Sequence, residues 1–212
     1  RLIATVARGG TYMLNIGPRG DGSVPEHAAD TLRKSGEWIH RYPQVVYGTD
    51  PSPWKHALPW GDVTVKDNTL FLAVSKWPAS GKLYLPGLKT GVKSVKLLNA
   101  AESESLGHGK ENGWTCLTVP TTAPEKLISV IQVELQGKPE ADPCFALDPD
   151  ITTEILSDFA SVKGASKETK QWMEKFGEWK HVNQISKWQA DGTATWEINV
   201  LKPGNYQVDL SY

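Results

Sequence analysis

The sequence predicts a mainly β protein. An antiparallel β-sandwich is preceded by one strand–loop–helix unit of a larger parallel sheet or barrel. It is followed by a second β module that is begun and left incomplete. Three observations carry this. Residues 61–136 alternate with period two between frequent turn signals, whereas residues 11–41 run from an unbroken apolar stretch through a loop into helical periodicity. The composition is rich in turn formers and indoles, with 19 Gly, 14 Pro and 9 Trp in 212 residues. That profile is common among all-β proteins, including those that handle sugars.

The first unit occupies residues 1–48. Thr11-Tyr12-Met13-Leu14-Asn15-Ile16-Gly17 is a short, nearly continuous apolar run, the pattern of a strand buried on both faces. Gly17-Pro18-Arg19-Gly20-Asp21-Gly22 is a loop by composition. Ser23 and Glu26 have the spacing of a capping box, and Ala28, Ala29, Leu32 and Ile39, with Trp38 beside them, share a helical face up to about Arg41. One such unit cannot cover both faces of its strand, so it belongs to a larger sheet or barrel.

The sandwich is assigned to residues 49–136. Its strands are read at 62–66, 69–75, 82–85, 93–98, 114–119 and 128–135, with Asp67-Asn68 and Asn112-Gly113 as hairpin turns. Residues 137–150, with three prolines and four acids, read as a linker. In the last segment, 151–212, Thr152–Phe159 reads as a strand. Trp172, Phe176 and Trp179, spaced i, i+4, i+7, suggest a helix over 167–179. Residues 196–200 and 206–212, around Lys202-Pro203-Gly204-Asn205, read as a hairpin with Trp196 in its core. The chain opens on Arg1 without a visible signal peptide and closes on a strand-like run. The expectation is a piece of a longer protein, in which residues 1–48 depend on the missing part and 61–136 fold alone.

Composition excludes several function classes. Lys plus Arg is 23 and Asp plus Glu is 24, a net charge of −1, so nothing favours wholesale nucleic-acid or anionic-membrane binding. No apolar run approaches the ~20 residues of a membrane span. Cys116 and Cys144 are expected as two free thiols. The five histidines never pair at i, i+3 or i, i+4, so no metal site is expected. The glycines at 17, 20 and 22 match no phosphate-loop spacing, and no Gly-x-Ser-x-Gly elbow occurs. Arg19-Gly20-Asp21 spells an adhesion tripeptide, a match short enough to arise by chance.

Two sets of candidate site residues remain. Asp21 lies in a loop after a strand, which in a βα barrel is the active-site face; its competing role is a plain turn residue. Trp179 and Trp188 fall in less regular stretches and would suit sugar stacking, against the alternative of burial in a core.

Gly9-Gly10-Thr11-Tyr12-Met13-Leu14-Asn15-Ile16-Gly17-Pro18-Arg19-Gly20-Asp21-Gly22-Ser23-Val24-Pro25 resembles the last barrel strand and following loop of the α-L-fucosidases of glycoside hydrolase family 29. The resemblance continues through Gly36-Glu37-Trp38-Ile39 and Val46-Tyr47-Gly48-Thr49, then Trp60-Gly61-Asp62-Val63-Thr64 and Leu83-Tyr84-Leu85-Pro86-Gly87-Leu88. It covers about residues 1–136. Residues 151–212 look like the opening of a galactose-binding-like accessory module, through Trp196-Glu197-Ile198-Asn199-Val200 and Pro203-Gly204-Asn205-Tyr206.

The resemblance implies a (β/α)8-like barrel for the first unit and an incomplete second β-sandwich for the last. It implies a retaining hydrolase of terminal α-L-fucose, using an Asp nucleophile and a second carboxylate, usually Glu, as acid then base. In the family both carboxylates and the substrate-binding histidines lie upstream of this motif. No catalytic residue therefore maps here, and the chain by itself is expected to be inactive. Asn15 and Asp21 become rim or supporting candidates. The implied partner is a fucosylated glycan, no cofactor is implied, and the implied setting is periplasmic, secreted or lysosomal. The alternative from another class is a non-catalytic carbohydrate-binding or scaffold protein with a degenerate barrel.

Overall fold

A computed structural model describes residues 1–99, 103–175 and 178–211. Two helices, α1 (Leu2–Val6) and α2 (Glu26–Arg41), and a 3-10 turn at Pro43–Val45 precede the strands. The strands of the central unit are β1 (Gly61–Lys66), β2 (Thr69–Val74), β3 (Lys82–Leu85), β4 (Val92–Leu98), β5 (Ser103–Ser105), β6 (His108–Glu111), β7 (Trp114–Thr118) and β8 (Ser129–Leu135). They form a five-stranded sheet, β1-β2-β8-β4-β5, and a three-stranded sheet, β3-β7-β6, with antiparallel pairing throughout. Asn112 and Gly113 both take positive φ between β6 and β7, as a two-residue hairpin loop requires.

The sheets enclose one core, in which Leu70, Leu72, Val95, Leu97, Ile131 and Val133 of the larger sheet meet Leu83, Leu85 and Leu117 of the smaller. The larger sheet is buried on its other face too along β2 and β8. Phe71, Ala73 and Val130 point away from the sandwich and pack on Ile3, Trp38, Tyr42 and Val45. This explains the unbroken Leu-Phe-Leu-Ala-Val of β2, because a strand covered on both faces needs no polar side. The result is three layers: helices, five strands, three strands.

The indole count has a structural cause. Trp54 donates Nε1–H to Pro86 O, Trp60 to Tyr84 O, Trp77 to Pro120 O and Trp38 to Ile128 O, at 2.6–2.9 Å. Each ring fills apolar space while its N–H satisfies a carbonyl at a strand end or loop. Gly61 is needed for close approach, since a Cβ there would lie 2.1 Å from Ala73 O.

After residue 136, β9 (Phe145–Leu147), β10 (Ser161–Lys163), β11 (Ser166–Lys175), β12 (Glu178–Ser186), β13 (Thr193–Thr195) and β14 (Ile198–Val200) make three two-stranded ladders among the described residues: β9 with β14, β10 with β13, β11 with β12. Residues 141–151 lie on the sandwich, where Leu88 bridges Ala141 and Ala146 packs with Tyr84, Trp114 and Cys116.

Six local expectations are corrected. Residues 11–17 form no strand, because no described strand lies alongside to complete a ladder; Met13 is 88% exposed. Ser23 does not cap α2. Its N–H and hydroxyl both bind Asp21, and the helix begins after Pro25 with no side-chain cap. The helix over 167–179 is the ribbon β11–β12, in which Trp172 faces Lys180 and Met173 faces Trp179. Gly177 in that stretch weighs against helix, and an apolar stripe built from three aromatics was too short a pattern to fix the period. Phe176 lies outside the described residues. Thr152–Phe159 is irregular apart from a 3-10 turn at Ser157–Phe159.

Finally, β14 pairs in parallel with β9 and leaves 206–211 without a strand, with Val208 and Leu210 exposed; Tyr212 lies outside the described residues. Trp196, expected in a core, stands just before β14, partly buried, with Nε1–H donated to Leu156 O at 3.1 Å. Both cysteines are free.

Candidate functional site

The candidate loop leaves the folded body at Ala7, whose carbonyl accepts the Ser52 N–H at 2.8 Å. Gly9, with φ of 75°, turns the chain against Pro51, where a Cβ would meet the proline ring at 2.9 Å. The segment then runs without regular secondary structure, largely exposed, with Asn15 in solvent. It closes in a tight turn: Gly22 N–H binds Arg19 O at 2.9 Å, and Arg19 N–H binds Ser23 O at 2.8 Å. Gly22 has φ of 83°, a conformation that favours glycine.

Asp21 sits at the tip of that turn. The Ser23 hydroxyl donates to its Oδ1 at 2.7 Å and the Ser23 N–H at 2.9 Å. The hydroxyl bond first, and the backbone bond second, hold the Asp21 carboxyl below the ordinary carboxylate range. The group is therefore an exposed anion, suited to accepting hydroxyl hydrogens and unsuited to donating a proton near neutral pH. Arg19 Nη1 reaches Ser23 Oγ at 3.4 Å, so an anion and a guanidinium share one serine.

The loop is carried by α2, and α2 is anchored only near its C-terminal end. Trp38 and Tyr42 are buried, their rings 5.3 Å apart, and Ile39 packs beside them; Leu32, on the same predicted face, is exposed. Glu125 is the polar anchor. Its Oε1 accepts from Arg41 Nη1 and from Tyr42 Oη, both at 2.8 Å. Burial first, then the Glu125 bond, pushes the Tyr42 phenol up to about 12. Glu125 carries no motif, and its partners lie over eighty positions upstream, so no signal in the sequence pointed to it.

The tryptophan candidates lie on other elements. Trp188 follows β12, is 52% exposed, and donates Nε1–H to Ile185 O at 3.2 Å. Trp179 is placed by its backbone pairing with Met173 in the ribbon; its side chain lies outside the described residues. Trp172, expected in a helix, is half exposed on the same ribbon. A separate shallow groove of about 230 Å³ lies between the sandwich and residues 153–156, lined by Asp62, Ser75, Lys76 and Glu154 among others. Asp62 is ion-paired there with Arg8 at 3.1 Å. These residues are scattered in sequence and no spacing pattern announced them.

The family model for α-L-fucosidase matches residues 1–44, the segment that holds the loop and α2. The plasma α-L-fucosidase of Homo sapiens is 30% identical over 127 residues, covering 55% of this chain and 25% of that protein. The α-L-fucosidase of Dictyostelium discoideum is 28% identical over 141 residues, covering 58% and 28%. This chain resembles a part of an α-L-fucosidase. Two solved structures are similar as well. α-L-Fucosidase isoenzyme 1 from Paenibacillus thiaminolyticus aligns with a TM-score of 0.56 and 26% identity, over 63% of this chain and 32% of that one. A family 29 α-L-fucosidase from Bacteroides thetaiotaomicron, solved as a trapped covalent intermediate, aligns with a TM-score of 0.57 and 25% identity, over 64% and 31%. The chain thus spans about a quarter of the length of the curated relatives it matches, and about a third of these solved structures.

Proposed function

We propose that the chain is the C-terminal part of a retaining α-L-fucosidase of glycoside hydrolase family 29, which releases terminal α-L-fucose from glycans. Residues 1–48 are then the end of a (β/α)8-like catalytic barrel, 49–136 its C-terminal β-sandwich, 137–150 a linker, and 151–212 the start of a galactose-binding-like second sandwich. One observation supports this most. The segment with the family match holds an apolar run, Tyr12–Ile16, that joins no strand and leaves Met13 and Leu14 exposed, and a helix whose Leu32 is exposed. Both features fit a strand and helix whose neighbours are other barrel units.

In this reading the two carboxylates that flank the glycosidic bond come from the rest of the barrel. Asn15 and Asp21 stand at its rim, where the lowered Asp21 carboxyl accepts a sugar hydroxyl or fixes a neighbouring loop. Residues 1–212 alone do not turn over substrate, since half of a two-carboxylate mechanism has no partial activity. The setting in this reading is secreted, lysosomal or periplasmic, and the relatives named as plasma enzymes fit the first of these. The test is hydrolysis of aryl α-L-fucosides against aryl galactosides by the product of the whole coding sequence. Fucoside-selective turnover supports the reading, and galactoside selectivity moves it to another retaining glycosidase.

A second reading is favoured by the indole exposure at Trp188. In it the protein binds carbohydrate without cleaving it, through Trp188 and Trp179, and its barrel is degenerate. Glycan binding by the whole coding product without fucoside turnover would select it.

A further inference from the structure

His56 is 7% exposed and both of its ring nitrogens face carbonyl oxygens: Nδ1 lies 2.8 Å from Ala57 O and Nε2 lies 3.1 Å from Pro143 O. A neutral imidazole has one N–H and one lone pair, so it satisfies one of these carbonyls and turns its lone pair on the other. Only the doubly protonated ring donates to both. The ring also stacks on Phe145, with centroids 4.2 Å apart and planes 21° apart, and meets the edge of Phe159 at 6.0 Å. Burial keeps water from replacing either bond.

Pro143 and Phe145 belong to the strap 141–151. The strap has other ties to the sandwich, including Asp142 N–H to Gly87 O at 2.9 Å and the bridge between Leu88 and Ala141. We propose that His56 is a pH-responsive clasp: doubly protonated, it fastens the strap and the β9–β14 ladder to the sandwich, and loss of one proton loosens them. This rests on the local geometry and is independent of the proposed enzyme activity.

The titratable groups carried by the segments against the ring are Lys55 on its own turn, Asp142, Cys144, Asp148 and Asp150 on the strap, and Asp158 beside Phe159. Among the described residues none of these carboxylates forms an ion pair with the ring. Asp158 accepts from Asn183 Nδ2 at 2.9 Å, and Asp148 Oδ1 accepts the Asp150 N–H at 3.0 Å. Asp148 is buried, and burial first of all pushes its carboxyl up, against smaller opposing pulls from the Asp150 N–H and then from Lys202. The docked strap then holds that proton more tightly than the free strap, so docking weakens as pH rises through the carboxylate range. The two groups act in the same direction, and acid tightens the strap.

The test is amide hydrogen exchange of residues 144–148 in the 212-residue chain at about pH 5.5 and about pH 7.5, corrected for intrinsic rates. The ring ¹⁵N shifts of His56 are followed in parallel. Protection is expected to fall about tenfold at the higher pH, the factor carried by one hydrogen bond of ordinary net strength. The fall should share its midpoint with the ring titration and vanish in His56→Gln while persisting in Asp148→Asn. Unchanged protection across that range, a step that survives His56→Gln, or a ring with one bare nitrogen at the lower pH would overturn the clasp. If His56→Gln does not fold, agreement or disagreement of the two wild-type midpoints decides.

Discussion

Tyr42→Phe should loosen the helical layer without emptying any space. The ring is 1% exposed and packs on Trp38; only Oη is removed. That oxygen donates to the ionised Glu125 at 2.8 Å. A hydrogen bond to a charged partner contributes ~1.5–3 kcal/mol. Arg41 still neutralises Glu125 in the variant, and Glu125 is partly exposed, so a loss of about 1.5 kcal/mol is expected, at the low end of that range. Urea unfolding followed by tryptophan fluorescence would read it as a lower midpoint at unchanged slope. A double-mutant cycle with Glu125→Gln should give a coupling of about 1 kcal/mol.

The pH dependence has a defined sign. The folded Tyr42 holds its proton up to about 12, against the ordinary tyrosine value near 10. Its contribution is present below about pH 10 and is lost as pH rises toward the folded value. Wild type should therefore converge on Tyr42→Phe across that window. A Tyr42→Phe loss below ~0.5 kcal/mol, the scatter expected of an inert surface change, with no convergence at high pH, would refute the anchor.

Other perturbations discriminate the layers. Ile131→Ala, in the central strand and fully buried, should cost about 2–5 kcal/mol in chemical unfolding. Gly61→Ala forces a methyl onto Ala73 O and should cost about 1–3 kcal/mol through displacement of β1 against β2, visible as a lowered Tm. Asp21→Asn should leave stability within ~0.5 kcal/mol, because the group is exposed; in the product of the whole coding sequence it is expected to lower kcat/KM for fucosides, and an unchanged kcat/KM would remove Asp21 from the proposed rim. Trp188→Ala should likewise leave unfolding unchanged while weakening glycan retention on an affinity column, and unchanged retention would remove Trp188 from any sugar contact.

The sandwich was legible because its signals are local. Alternation and turn residues marked β1 to β4, β7 and β8, and the Asn112-Gly113 turn forms as its residues require. The polar strands β5 and β6, Ser103–Ser105 and His108–Glu111, have no apolar face to announce them. An unbroken apolar run was a weaker guide. The same pattern in β2 is buried on both faces, while Tyr12–Ile16 has no sheet to join. Ser23 and Glu26 had the right spacing for a cap, yet a carboxylate two residues upstream of Ser23 captured its hydroxyl. The motif of the candidate loop could be read directly. Its anchorage through Glu125 could not, because the bonds to Arg41 and Tyr42 exist only once helix and sandwich meet. Trp172 was misplaced because three aromatics mimic a helical stripe whether they stand on a helix or on a ribbon.

The proposed place of this chain is the C-terminal part of an α-L-fucosidase whose two carboxylates lie in the rest of the barrel. The most direct measurement is aryl α-L-fucoside turnover by two purified proteins, residues 1–212 and the product of the whole coding sequence. Turnover by the longer protein, selective over aryl galactosides, is expected, with none by residues 1–212. Turnover by residues 1–212, or inactivity of a folded longer protein, would contradict it.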